Sequence, residues 1–512
     1  MGIVTDLYKP SLALLTDLYE ITMAYGYWKS GTWSKEAVFH LHFRKPPFGS
    51  GFTIACGLEA VIDFLESFRF ADDDLAYLAT LAGDDGGPLF DPAFLDELRR
   101  LELACDVDAI PEGTAVFPHE PLVRVRGPIL QCQLLETPLL NLINFQTLIA
   151  TKAARVCLAA HGDPVLEFGL RRAQGIDGGL SASRASYIGG CAGTSNVLAG
   201  KIFDIPVKGT HAHSWVLSFD TELESFAAYA RALPNNCVFL VDTYHSLEGV
   251  RHAVEVGRWL RAHGHRMAGI RLDSGDLAYL SIEARKILDE AGFPEVPILA
   301  SSELDEHLIE SLKLQGAKIV VWGVGTRLVT GHDDPALGGI YKLTAVREDG
   351  ADGGPWKYKV KLSEQAIKVT TPGIQQVRRY CLGPSFVADM IFDVELGAPA
   401  APTLVDPADH TRRKEIHAGT PCDDLLVPIF RQGRRVYDPP PLTAIRSRVT
   451  DQLQRLHPGI KRFVNPHQYP VGLELGLFDL KTRLILEARG LVPAEARKLE
   501  RQAEQRAERR LP

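Results

Sequence analysis

NCVFLVD at 236–242, MAGIRLD at 267–273, VPILAS at 296–301 and AKIVVWG at 317–323 are short apolar runs separated by segments of helical periodicity. Helices are predicted between them near 246–263, 277–291 and 304–314. Upstream, PVLEFGL (164–170) and DIPVKGT (204–210) add two strands, with helices near 182–199 and 221–232. Strands so apolar, alternating with helices, predict an α/β fold with a parallel sheet, as a barrel or an open sheet. Such folds carry their sites at the C-terminal ends of the strands. Arg171, Thr210, Asp242, Asp273 and Gly323 each close or follow an apolar run there.

The flanks read differently. Residues 11–28 predict an amphipathic helix, 36–44 a strand, and GLEAVIDFLESF a helix. Residues 106–135 carry β-like runs broken by Pro and Gly, and a long helix follows from 136. Beyond 340, IYKLTAV, WKYKVKLSE, AIKVTTPG and FVADMIFDVE are predicted strands, either returning to the N-terminal β region or forming a third one. Residues 396–424 read as a surface excursion, and PAEARKLERQAEQRAERR as a solvated charged helix. The expected division is 1–135, 136–342 and 343–512: an N-terminal helix with a β-rich domain, the α/β unit, and a C-terminal β-rich region with a helical tail.

At 512 residues the chain exceeds a single core. A net charge of −8 gives no general attraction to nucleic acid or anionic membrane, so an anionic ligand needs a local cluster of cations. The eight cysteines show no CxxC spacing, which argues against a zinc site or a disulfide framework. MGIVTD fits the myristoylation pattern at Gly2 only loosely, and the start lacks a signal-peptide pattern. No run of 18 apolar residues occurs, so the expectation is a cytoplasmic protein.

Chemistry concentrates at the strand ends. FGLRRAQGIDGGLSASRASYIGGCAGTSNVLAG (168–200) combines adjacent arginines with glycines that let backbone approach a ligand. GTHAHSW (209–215) places two histidines after a strand, where one of them can act as acid, base or nucleophile. VDTYHS (241–246) and IRLDSGDL (270–277) supply Asp242, Arg271, Asp273 and Asp276, a set suited to anions and their Mg²⁺ or to sugar hydroxyls. One of these carboxylates is expected to cap the next helix instead. VVWGVGTRLVT (320–330) ends in a Gly-rich turn able to cup a phosphate.

Together with LLTDLYEITMAYGYW, FRKPPFGSGFTIACGLE, ETPLLNLINFQTLIATKAAR and TSNVLAG, these stretches closely resemble the nicotinate phosphoribosyltransferase family over nearly the whole chain. The resemblance implies an irregular parallel α/β barrel with a β-rich N-terminal domain and C-terminal β-rich additions. It implies an enzyme of NAD salvage, joining nicotinate to 5-phosphoribosyl 1-pyrophosphate with ATP hydrolysis, and a homodimer with shared active sites.

By the same resemblance Phe168 and the partner copy's Tyr19 sandwich the pyridine ring, and Arg171 holds the nicotinate carboxylate. Ser195 stands where nicotinamide-using relatives carry an acid, which favours the acid substrate. Arg44, Lys45, Arg271 and Lys152 are candidates for the pyrophosphate, with Thr210 among the substrate contacts. Asp242 and Asp273 would hold ribose hydroxyls or Mg²⁺. Gly323, Gly325 and Thr326 would hold the 5-phosphate, with Ser302 in SSELDE as a looser match. His213 matches the histidine that ATP phosphorylates; His211 departs from the residue more usual at its place, and is expected either behind the site residues or in a purely structural position. The competing readings are a nicotinamide-using relative, a non-catalytic metabolite binder on the same scaffold, and an aldolase-like barrel using Lys208.

Overall fold

The computed structural model describes residues 11–348, 354–365 and 368–491. Six strands form one parallel sheet in the order Gly193–Thr194, Val165–Glu167, Val321–Val324, Ile298–Ala300, Gly269–Leu272 and Val238–Leu240. Trp322 pairs with Val165, Leu299 with Val321, Ile298 with Ile270 and Val238 with Gly269. Val165, Phe239, Ile270, Ile298 and Trp322 are buried, which is why these strands lack polar alternation. Asp276 caps helix Leu277–Glu290 and Asp305 caps Glu306–Leu314, each accepting a backbone N–H. Asp276 is thus the capping carboxylate, and Asp273 is left for the site.

Between the outer strands the sheet is bridged irregularly. Thr194 and Val207 make a single parallel bridge. Leu240 donates its N–H to Nε2 of the buried His211 at 3.2 Å, a side chain standing where a strand would accept. This is the irregular α/β barrel, and the His211 imidazole is part of its wall. DIPVKGT contributes only that bridge, because Pro206 has no N–H to donate. The helix expected over 182–199 is two: Gly175–Ile188 and Val197–Phe203, the latter capped by Asn196. The turn between them needs Gly190, whose φ is +121°.

A seven-stranded antiparallel sheet runs Lys357–Tyr358, Gly339–Arg347, Glu36–Phe43, Val123–Pro128, Asp106–Ala109, Val427–Arg431 and Arg434–Arg435. Strands from beyond 338 therefore do return to the N-terminal sheet. A third sheet is also formed, of Arg413–Glu415, Thr403–Val405, Val471–Glu474, Ser385–Asp393, Gln375–Leu382 and Cys422–Asp424. Residues 396–424 are thus partly sheet, not a bare excursion. The N-terminal helix is Leu18–Lys29, starting late because Asp17 is extended at its N-cap, and ILQCQL is helical (Ile129–Leu134). Of WKYKVKLSE only Lys357–Tyr358 is a strand, and AIKVTTPG supplies none among its described residues. The MGIVTD start and the PAEARKLERQAEQRAERR tail lie outside the described residues. All eight cysteines are free.

Candidate active site

Strand Gly269–Leu272 exposes Arg271 and then Asp273 on one face, two residues apart. Arg271 donates to Thr210 Oγ1 at 2.7 Å, Ser301 Oγ at 2.7 Å and Asp273 Oδ1 at 2.8 Å. Ser301, at the end of the neighbouring strand, donates to the same carboxylate. Burial would raise the Asp273 pKa, but the Ser301 hydroxyl and Arg271 hold it below the ordinary value. The other oxygen, Oδ2, lies 3.8 Å from His213 Nε2. Thr243 Oγ1 is 3.1 Å from His213 Nδ1, so the ring is fixed from behind and its Nε2 edge faces the carboxylate.

Asp242 closes strand Val238–Leu240 and turns one oxygen inward. Oδ2 accepts the Asp273 N–H at 2.9 Å and the Ser274 hydroxyl at 2.7 Å. Oδ1 is buried without a protein partner, an arrangement that costs free energy unless a ligand or ion fills it. Asp242 and Asp273 therefore fit a Mg²⁺. Among the described residues no group of three or more His, Cys, Asp or Glu could hold a metal by itself. That suits an ion bound by one or two carboxylates together with substrate phosphates.

Phe168 follows strand Val165–Glu167, its N–H bonded to Val324 O at 2.8 Å. Its ring lies over Gly323, where a Cβ would be 2.7 Å from Cδ2, and the Arg271 guanidinium carbon is 5.9 Å from the ring centre. Glu167 beneath it is buried and accepts from Gly169 N–H, Ser183 and Thr194, which locks the strand end. Arg171 is exposed, with no ion pair among the described residues, and Ser195 is held by its N–H to Glu167 O at 2.9 Å. Gly325 caps the short helix Thr326–Val329. Thr326 reaches Glu303 only at 3.5 Å, and Ser302 carries φ +125°, a strained conformation of the kind stored at ligand sites.

The structure does not gather every expected residue. Lys152 is buried and pairs with Glu306 at 2.8 Å, beside Arg155, which makes it a core ion pair in this chain. Lys208 is exposed, without the desolvation that activates a Schiff-base lysine, so the aldolase reading fails. Tyr19 is exposed on helix Leu18–Lys29, Arg44 and Lys45 follow strand Glu36–Phe43, and none of the three has a described contact with Phe168, Arg271 or Asp273. Ser301, Thr243 and Ser274 also belong to the site, and no sequence motif marks them. Their only signal was a hydroxyl beside a strand-end acid or in the SSELDE loop.

Three family models cover most of the chain: the nicotinate phosphoribosyltransferase N-terminal domain over 14–144, the family itself over 165–351, and the C-terminal domain over 375–481. The Bacillus subtilis nicotinate phosphoribosyltransferase is 42% identical over 95% of this chain and 97% of its own. The chain belongs to the nicotinate phosphoribosyltransferase family. The crystal structure of human nicotinic acid phosphoribosyltransferase superposes with TM-score 0.79 at 35% identity, covering 92% of this chain and 99% of that one. A nicotinate-nucleotide pyrophosphorylase structure from Pyrococcus furiosus, at 20% identity and TM-score 0.63, shares the fold over 86% of this chain and 95% of its own. Family membership fits a site whose polar groups come from consecutive strand ends and whose Gly323 leaves room for a ring above it.

Proposed function

We infer that the chain is an enzyme joining nicotinate to 5-phosphoribosyl 1-pyrophosphate, giving nicotinate mononucleotide and pyrophosphate in NAD salvage, with ATP hydrolysis driving the equilibrium. The observation that supports it most is the Arg271–Ser301–Asp273–Thr210 network meeting His213 and the unpartnered Asp242 oxygen. Nicotinate lies on Phe168, with Tyr19 of a second copy closing the other face and Arg171 pairing its carboxylate. The pyridine nitrogen attacks C1′ of the ribose; the C1′–O bond breaks and its electron pair leaves on pyrophosphate. Arg271, with Arg44 and Lys45 from a second copy, offsets that charge. Bound Mg²⁺ supplies further charge neutralisation of the polyphosphate, held by Asp242 and Asp273.

Ribose hydroxyls also fall to Asp242, Asp273 and Thr210, and the 5-phosphate to the turn at Gly323, Gly325 and Thr326, beside the strained Ser302. His213 accepts the ATP γ-phosphoryl group at Nε2 as ADP leaves, and water later cleaves the phosphohistidine to release phosphate. Its ring is exposed enough to be reached and is anchored by Thr243. The reading also makes the protein a homodimer with shared sites, working in the cytoplasm. Among the described residues no helix is long and apolar enough to cross a membrane.

A coupled assay with 5-phosphoribosyl 1-pyrophosphate, with and without ATP, decides among the readings. Nicotinate should be converted in preference to nicotinamide, and ATP should raise the yield. Preferential formation of the amide nucleotide would overturn the assignment, and no product with either base would favour a non-catalytic binder.

A further inference from the structure

Glu167 ends the strand that leads into Phe168, and it is 1% exposed. No cation pairs with it among the described residues. A carboxylate taken out of water without a counter-charge persists only where hydrogen-bond donors surround it. Three do so here. The Gly169 N–H reaches Oε1, and the hydroxyls of Ser183 and Thr194 reach Oε2 at 2.8 and 2.5 Å. These donors come from separate elements, and two of the elements carry residues assigned to the pyridine ring.

The first is the turn under the ring platform. Phe168 is gripped on both sides of its Cα: its own N–H is bonded to Val324 O at 2.8 Å, and the next N–H, of Gly169, is held by Glu167. Gly169 O then accepts the Arg172 N–H at 2.7 Å, starting the 3₁₀ turn Leu170–Arg172 on which Arg171 stands. The second is the turn at Ser195. The Ser195 N–H is bonded to the Glu167 backbone carbonyl at 2.9 Å. On one side Thr194 donates to the Glu167 carboxylate and accepts the Asn196 N–H at 2.9 Å. On the other, Asn196 Nδ2 donates at 3.2 Å to Ser183 Oγ, itself one of the three donors to the carboxylate. Phe168, Arg171 and Ser195 are thus placed by one buried side chain, although no described hydrogen bond joins it to any of their side chains.

We propose that Glu167 is a positioning residue for base selection. It sets the ring platform and the Ser195 turn relative to each other, and through them the preference for a pyridine carboxylate over its amide. The proposal rests on the nicotinate reading of Phe168, Arg171 and Ser195 given above. A planar ion pair between Arg171 and a carboxylate tolerates little misplacement, whereas a neutral amide gains little from that arginine. Loosening either turn therefore weakens the acid and spares the amide. Charge matters here as well as shape. A glutamine at 167 could offer its oxygen to Gly169, but its NH₂ would then face two hydroxyls that now donate, and both would have to reverse.

The test compares Thr194→Val, which keeps the shape and removes one donor, with Thr194→Ser, which keeps the donor; Glu167→Gln removes the charge. For each full-length variant, kcat and KM are measured with nicotinate and with nicotinamide, together with KM for 5-phosphoribosyl 1-pyrophosphate. Binding of both bases is followed by calorimetry, and folding by melting temperature. Thr194→Val and Glu167→Gln should each lower the nicotinate-to-nicotinamide ratio about tenfold or more, through KM for nicotinate, with KM for 5-phosphoribosyl 1-pyrophosphate unchanged. Thr194→Ser should keep the wild-type ratio. A wild-type ratio in folded Thr194→Val and Glu167→Gln proteins, or a loss of kcat shared equally by both bases, would overturn the proposal. Wild-type protein that binds nicotinate yet makes no product refutes the enzyme reading alone, and the calorimetric ratio then decides the role of Glu167. Wild-type protein that binds neither base refutes both.

Discussion

Replacing Gly323 by alanine tests whether Phe168 forms the floor of the ring site. The added Cβ would stand 2.7 Å from Phe168 Cδ2, 2.8 Å from Cε2 and 3.4 Å from Ser301 Cβ. Carbon atoms ordinarily approach to about 3.5–4.0 Å, so the ring has to retreat by about 1 Å. Backbone motion cannot absorb this easily. The Phe168 N–H is bonded to Val324 O at 2.8 Å, and Gly169 beside it is already closed in by Val329. The ring must therefore turn on its side-chain bonds, at a cost of about 1–3 kcal/mol for an overpacked core position. If nicotinate stacks on that ring, most of the cost appears on binding, as a rise in KM of about five- to 150-fold. Steady-state kinetics with nicotinate varied at saturating 5-phosphoribosyl 1-pyrophosphate read this directly. Gly325→Ala is the comparison, since its added Cβ would meet the Phe168 backbone, carbonyl O at 3.2 Å and C at 3.5 Å, and not the ring. A Gly323→Ala enzyme with unchanged KM for nicotinate and an unchanged melting temperature would refute the reasoning.

Other perturbations separate the roles assigned at the strand ends. His213→Ala should abolish ATP hydrolysis and its stimulation of product formation while leaving slow transfer; persistent ATPase activity, measured as phosphate release, removes His213 from the phosphoryl step. Asp242→Ala deletes the oxygen that lacks a protein partner, so the Mg²⁺ concentration for half-maximal activity should rise about tenfold or more; an unchanged Mg²⁺ curve places the ion elsewhere. His211, chiefly through burial, is pushed down to about 4 and serves as a neutral acceptor for Leu240 N–H. Because the folded pKa lies below the unfolded value of about 6.5, its stability contribution is full above that value and is lost as pH falls toward 4. His211→Gln, which can accept the same bond without titrating, should flatten the fall in melting temperature between pH 6.5 and 4.5 relative to wild type; parallel curves would contradict the assignment.

The parts of this molecule that sequence revealed are those where one periodicity decides the outcome. A buried parallel strand must be apolar on both faces, and the runs ending at Asp242, Asp273 and Gly323 are apolar for that reason. The two-residue step from Arg271 to Asp273 puts both on one face, and they do bond there. Where two elements far apart in sequence compete for one segment, periodicity says little. Pro206 leaves DIPVKGT a single bridge, and its place in the barrel wall is taken by the His211 imidazole, which no local pattern announces.

The same limit explains what remained hidden at the site. Ser301 is chosen by Arg271 and Asp273, 30 and 28 positions earlier, and Thr243 by His213, 30 positions earlier. Each is an ordinary hydroxyl until the strands lie side by side. Tyr19, Arg44 and Lys45 pose the converse case: they are conspicuous in sequence yet have no described contact with Phe168, Arg271 or Asp273 within one chain. A site needing them needs a second copy of the chain. Mixing an Arg271→Ala chain with a Tyr19→Ala chain should then restore activity that neither has alone, because one hybrid site is intact. Absence of such complementation in a verified mixed dimer would mean that each barrel works with its own residues only.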